Sequence, residues 1–102
     1  MKAYIAEAFG PPESLVLKQV TAALPPAGHV RLSVKAAGAS LLDALIASGK
    51  YQVKPPLPFS PGSEFAGVVD AVADDVRSVK PGDRVMAGGF VGGFSQTAVV
   101  PA

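Results

Sequence analysis

Three observations on this sequence predict a mainly β fold: a partly open barrel carrying one short helix. Short apolar runs recur along the chain, and the clearest alternate apolar and polar residues with the period of two that a half-buried strand requires. The 11 glycines and 10 prolines fall largely between those runs, as turn signals. Only one stretch, Leu41 to Ile46, changes to a helical period. Many short strands punctuated in this way suit a barrel better than a layered α/β domain.

In chain order, Met1 to Phe9 reads as a first strand stopped by Gly10-Pro11-Pro12, and Leu15 to Val20 as a second stopped by Pro25-Pro26-Ala27-Gly28. Val30 to Ala36 alternates without a fault and is the third. Leu41, Leu42, Leu45 and Ile46 then form two adjacent i, i+4 pairs, the apolar face of a two-turn helix. Ser40 is placed to cap it, with Asp43 three residues later as the acidic half of a capping box, and Gly49 ends it. Pro55, Pro56 and Pro58 make Tyr51 to Phe59 an irregular loop, because proline has no N–H to give to a sheet. Phe65 to Ala73 is the longest strand and turns at Asp74-Asp75. The turn Lys80-Pro81-Gly82-Asp83 feeds a short strand, Arg84 to Met86. Gly88 to Gly93 reads as a flexible connection to a last strand, Ser95 to Val100. There is no internal repeat and no linker, so residues 1–102 read as one domain.

Composition narrows the function classes. Hydrophobic residues are 49% and charged residues 17%, a folded rather than a disordered composition. A net charge of +1 gives no electrostatic reason to expect nucleic acid or an anionic membrane as partner. No run is long and apolar enough to span a bilayer, no signal-peptide core opens the chain, and cysteine is absent. A cytoplasmic domain is the expectation, without disulfides or thiolate chemistry. No Gly-x-Gly-x-x-Gly or phosphate loop is present, so the usual nucleotide cradles are missing. Gly38-Ala39-Ser40-Leu41-Leu42 begins like a nucleophile elbow but lacks the final glycine, and the sole histidine, His29, lies at a turn. A Ser/His/Asp hydrolase is therefore not indicated. Zinc is not indicated either, because catalytic zinc sites combine His, Cys and carboxylate.

The segment Phe59-Ser60-Pro61-Gly62-Ser63-Glu64-Phe65-Ala66-Gly67 joins a turn to an apolar strand and sets a carboxylate, Glu64, at the strand's mouth. It resembles the Gly-His-Glu-x-x-Gly segment of the medium-chain dehydrogenase/reductase superfamily, in the quinone-oxidoreductase (zeta-crystallin) branch where Ser or Thr replaces the His. Ala37 to Asp43, followed by Ala47 to Tyr51, is similar to the family segment that holds the first zinc ligand. Val79 to Val85 resembles the family's Gly-Asp-Arg-Val, and Gly92 to Pro101 its Gly-Gly-Phe-Ala-Glu-Tyr strand. The order and spacing of these segments cover nearly the whole chain. The chain departs from the pattern at Ala73, where a turn glycine is usual, and at Leu45, where some members carry a tyrosine.

What the resemblance implies is a GroES-like N-terminal, substrate-side domain of an NADPH-dependent reductase acting on a quinone or conjugated carbonyl. Its Rossmann domain would follow outside these residues and hold most of the NADPH site. Ser40 and Ser63 stand at the two zinc-ligand positions, which implies a zinc-free member. Ser40, Asp43, Tyr51 and Ser63 would form the wall on the nicotinamide and substrate side. Beside these roles stand plainer ones: a helix cap for Ser40 and Asp43, a plug at the barrel mouth for Tyr51, turn chemistry for Ser63. Glu64 is expected to hold structure, through backbone N–H groups or by pairing with Arg84; a catalytic base is its other reading. No residue stands out as a proton donor. The isolated 102 residues are expected to be inactive and, with docking surfaces exposed, to self-associate. A different class remains open: a free-standing GroES-like barrel working as a binding or assembly module through the loops Tyr51–Phe59 and Gly88–Gly93.

Overall fold

A computed structural model describes residues Met1–Ala102. Two antiparallel sheets and one helix make the fold. Strands β1 (Lys2–Ile5) and β2 (Val16–Gln19) form a hairpin, joined through a single 3-10 turn at Pro12–Ser14. Strands β3 (His29–Ala37), β4 (Glu64–Val72), β5 (Arg84–Gly88) and β6 (Thr97–Pro101) form a second sheet in the order β5-β4-β3-β6. Helix α1 (Leu41–Ala47) lies between β3 and β4 in the chain. The mainly β composition with one short helix is as the sequence predicts. The two sheets stay open rather than closing, and β1 meets the rest of the chain through the isolated bridges Ala3–Ser95 and Ala6–Phe59 and the bonds from Gln96 N–H to Lys2 O and Thr97 Oγ1 to Met1 Sδ.

Alternation dictates the core. Inward residues of the central strands, Val30, Leu32, Phe65 and Val69, gather with Val76 and Ala98 into one cluster. A smaller cluster, Ala6, Ile46 and Phe59, lies beneath the helix. The helix buries Ile46 and Ala47 and leaves Leu41 75% exposed, so its apolar face is narrower than the two i, i+4 pairs suggest. The first strand ends at Ile5, short of the expected Phe9, because the chain turns over α1, where Gly10 N–H donates to Ala47 O. The last begins at Thr97, two residues late, because Ser95 Oγ folds back to Gly92 O. Ala73 needs no left-handed backbone: every residue with positive φ is a glycine.

Gly88–Gly93 differs from its reading as a flexible connection. Gly89, Gly92, Gly93 and Phe94 donate their N–H groups to Ser63, Ser60, Gly62 and Pro61, zipping this segment onto the turn before β4. Inside the sheet, β3 is irregular between Val34 and Ala36, and its backbone presses on Gly67 of β4. A Cβ at Gly67 would lie 2.1 Å from Ser33 O. Replacing Gly67 with Ala therefore should lower unfolding free energy by about 1–3 kcal/mol or prevent folding. Gly89→Ala, which meets nothing within 4 Å, should leave stability within about 0.5 kcal/mol. Urea titrations of both variants would check the contrast.

At the turn before β5, Asp83 accepts hydrogen bonds from Lys80 Nζ at 2.9 Å and Lys80 N at 3.0 Å. The side-chain bond, then the backbone bond, hold the Asp83 carboxyl below its ordinary value. A carboxyl depressed in the folded state adds stability above its unfolded pKa, and that stability is lost as pH falls through the folded value. An NMR titration should find the Asp83 midpoint lowered, and Lys80→Ala should move it back up.

Candidate functional site

The sharpest polar arrangement sits where α1 begins. Ser40 occupies the N-cap with extended backbone (φ −137°, ψ 169°), and the capping box to Asp43 forms. Asp43 Oδ2 accepts the Ser40 N–H at 2.9 Å and the Ser40 hydroxyl at 3.3 Å. Asp43 Oδ1 turns the other way and accepts the Ser63 N–H at 2.9 Å. Asp43 and Ser63 are 5% and 4% exposed, so this second bond is fully buried. One carboxylate thus ties the helix start to the turn that opens β4. No group of three His, Cys, Asp or Glu side chains lies together as a metal cluster.

Ser40 is exposed and lines the rim of a groove of about 350 Å³ beside the helix, at the small end of the range of ligand pockets. Leu15, Leu41, Pro61 and Phe94 give that groove apolar walls, with Asp43 beneath. The sequence reading did not single out Leu41, Pro61 or Phe94 as walls. The signal for Leu41 was available in principle, as a leucine at a helix start with no partner one turn earlier.

Tyr51 lies elsewhere. It is half-buried against the Ala6, Ile46 and Phe59 cluster, its ring centroid 6.3 Å from that of Phe90. Of the four wall candidates, Ser40, Asp43 and Ser63 come together, while Tyr51 makes no hydrogen bond to them and does not line the groove. Glu64 opens β4, exposed, with its carboxylate near Gly38. Its carboxylate makes neither the ion pair with Arg84 nor the bonds to backbone N–H groups that the sequence suggested; its carbonyl, not its carboxylate, accepts an N–H, from Gly38. The register is the reason: Glu64 stands opposite Gly88 and Arg84 opposite Val68, at the two ends of β5. His29 begins β3, its Nδ1 2.9 Å from Ala27 O, and Ser40 follows that strand's far end. The strand from His29 to Ala37 alone spans about 26 Å, which sets His29 and Ser40 at its opposite ends and out of any nucleophile–base contact.

An open antiparallel sheet whose third strand leads into a single carboxylate-capped helix defines a GroES-like domain. The chain belongs to the alcohol dehydrogenase GroES-like domain family, whose model matches residues 26–102. It is 40% identical over 101 residues to the quinone oxidoreductase of Homo sapiens, an alignment covering 97% of this chain and 31% of that protein. Among solved structures, Escherichia coli quinone oxidoreductase complexed with NADPH is 33% identical with a TM-score of 0.89, covering 98% of this chain and 31% of that one. A probable oxidoreductase from Mycobacterium abscessus is 42% identical with a TM-score of 0.88, covering 99% and 32%. The chain thus spans about a third of the length of the relatives it matches.

Removing the bridging carboxylate would leave the Ser63 N–H buried without a partner and uncap α1. Asp43→Ala should cost about 2–4 kcal/mol and speed amide exchange at Ser63 and Ser40. Calorimetry and hydrogen exchange would check this; unchanged protection at Ser63 would contradict the bridge.

Proposed function

We propose that this chain is the N-terminal, substrate-side part of a zinc-independent, NADPH-dependent reductase of quinones or conjugated carbonyls. One observation carries the zinc-free reading. Ser40 and Ser63, at the positions that the resemblance aligns with zinc ligands, are neutral hydroxyl residues, and the carboxylate between them has both oxygens engaged. Zinc takes thiolates, imidazoles and free carboxylates, and this donor set does not fit it.

Every strand pair in the chain is antiparallel, so the parallel β-α-β unit that builds a dinucleotide cradle is not formed among these residues. The nucleotide would be held by polypeptide outside these residues, in a Rossmann domain, with only its nicotinamide end facing this chain. When bound, NADPH supplies the hydride. The groove beside α1 would do the rest: Leu41 and Phe94 exclude water and flank a flat acceptor. The Ser40 hydroxyl, at the rim, would turn its proton from Asp43 Oδ2, which it meets at only 3.3 Å, to the acceptor oxygen as charge develops there; Asp43 Oδ2 keeps the Ser40 N–H. Asp43 holds Ser40 and Ser63 in register, and Tyr51 closes the neighbouring loop rather than meeting substrate. Glu64 takes no part in the transfer. A cytoplasmic setting is part of this proposal; no helix of the chain is long and apolar enough to cross a membrane.

A matched NADPH-oxidation assay with a simple quinone tests this, comparing residues 1–102 alone with the same chain joined to the polypeptide that follows in its source. Turnover is expected only in the joined form, and Ser40→Ala there should lower kcat/KM roughly a hundredfold. Quinone reduction by residues 1–102 alone would refute the division of labour. Silence in both, with the domain folded, would favour a binding module.

A further inference from the structure

Phe94 stands between two hollows. It lines the groove beside α1 that carries Ser40 at its rim, and it also lines a second hollow of about 460 Å³ on the side of the β1–β2 hairpin. Pro12 and Leu15 are walls of both, so the two adjoin along a shared rim and form one trough. Tyr4, Ala37 and Gly93 complete the second hollow.

Local chemistry sets each shared wall. Pro11 and Pro12 open a 3-10 turn that Ser14 closes, its N–H donating to Pro11 O at 2.9 Å and its hydroxyl at 2.7 Å. Leu15 leaves that turn with its N–H on Pro12 O and its side chain packed on the Ala6, Ile46 and Phe59 cluster. Phe94 is gripped from both sides: its N–H donates to Pro61 O at 2.9 Å, and its C=O accepts the Tyr4 N–H at 2.9 Å. Gly93 has no room for a side chain, because a Cβ there would fall 2.9 Å from Phe65 Cδ1. The walls and the bonds that place them all lie within these residues, which therefore set the shape of the trough.

The two hollows differ in chemistry. The groove beside α1 has a hydroxyl and a carboxylate, from Ser40 and Asp43, whereas no charged side chain lines the second hollow. The Tyr4 phenol is its one polar side-chain group. A phosphate, carboxylate or carboxamide placed there would give up water for one phenol at most, at a net cost. An alkyl chain would gain from the same burial. An acceptor whose carbonyl oxygen meets Ser40 can extend such a chain past Phe94 and along Leu15. An unsubstituted ring leaves the space unfilled.

We propose that the second hollow is a side-chain subsite: the acceptor is a quinone bearing an unbranched apolar substituent, which lies against Leu15, Phe94 and Tyr4. The subsite rests on the reductase reading and narrows it to one substrate class. The test uses the chain joined to the polypeptide that follows in its source, with NADPH and benzoquinones carrying a single alkyl group from methyl to decyl. Reducibility changes little along that series, so differences report the side chain. kcat/KM should rise about two- to fourfold with each of the first added methylenes, chiefly through KM, and level off when the hollow is full. Ala37→Leu narrows the second hollow and not the groove beside α1. It should cut the ratio of decyl to methyl kcat/KM about tenfold. Tyr4→Ala, which removes an exposed wall, should lower the same ratio about threefold. No turnover with any member of the series would refute the reductase reading and the subsite with it. Turnover that ignores side-chain length, as when other polypeptide fills the hollow, would overturn the subsite alone. So would a length dependence that both variants leave unchanged.

Discussion

The Asp43 carboxylate is the constraint on which the candidate site depends. Each of its oxygens accepts a backbone N–H, one from the residue that starts the helix and one from the turn that starts β4. A seven-residue helix has little stability of its own. It stays in place because its first turn is fastened to the sheet and because Ile46 and Ala47 are buried. The groove between α1 and Phe94 exists only while that fastening holds, since Leu41, Ser40 and Pro61 reach its wall from the two sides of the bridge. Stability of the helix and shape of the groove are therefore one property.

How much of this the sequence revealed follows from the range of each interaction. The capping box was legible because Ser40 and Asp43 are three residues apart and helix geometry alone brings them together. The second bond of the same carboxylate, to Ser63, was not. It spans twenty residues, and nothing in either segment indicates the other. Glu64 and Arg84 show the converse error: opposite charges on adjacent strands invite pairing, but strand register decides, and it sets them at opposite ends of β5. The strand end at Ile5 was misplaced for a similar reason, since the long-range bond from Gly10 to Ala47 ends the extension before the apolar pattern does, whereas the late start at Thr97 comes from a local turn, Ser95 Oγ on Gly92 O.

The expectation of a partly open β fold with one short helix is met, including the lack of closure. Strand number and alternation are local properties, and they appear as predicted. Closure requires every edge to find a neighbour, and β5 and β6 both stop as edges of the four-stranded sheet. β6 is blunted by a proline and by the N-terminal residues, while β5 carries Arg84 and the exposed Met86. That asymmetry resides in a few residues rather than in composition, which is why a count of strands and turns did not disclose it.

The glycines between β5 and β6 carry one more lesson. A Cβ at Gly62 would fall 2.7 Å from Gly93 Cα, so the two loops lie backbone against backbone with no room for a side chain. In the unfolded chain these positions have the widest conformational freedom of any residue type, and folding removes it. The seam is thus entropically expensive, and main-chain bonds together with the full burial of Pro61 offset that cost. A side chain at either glycine would part the two loops and take with them the groove wall that Pro61 and Phe94 supply.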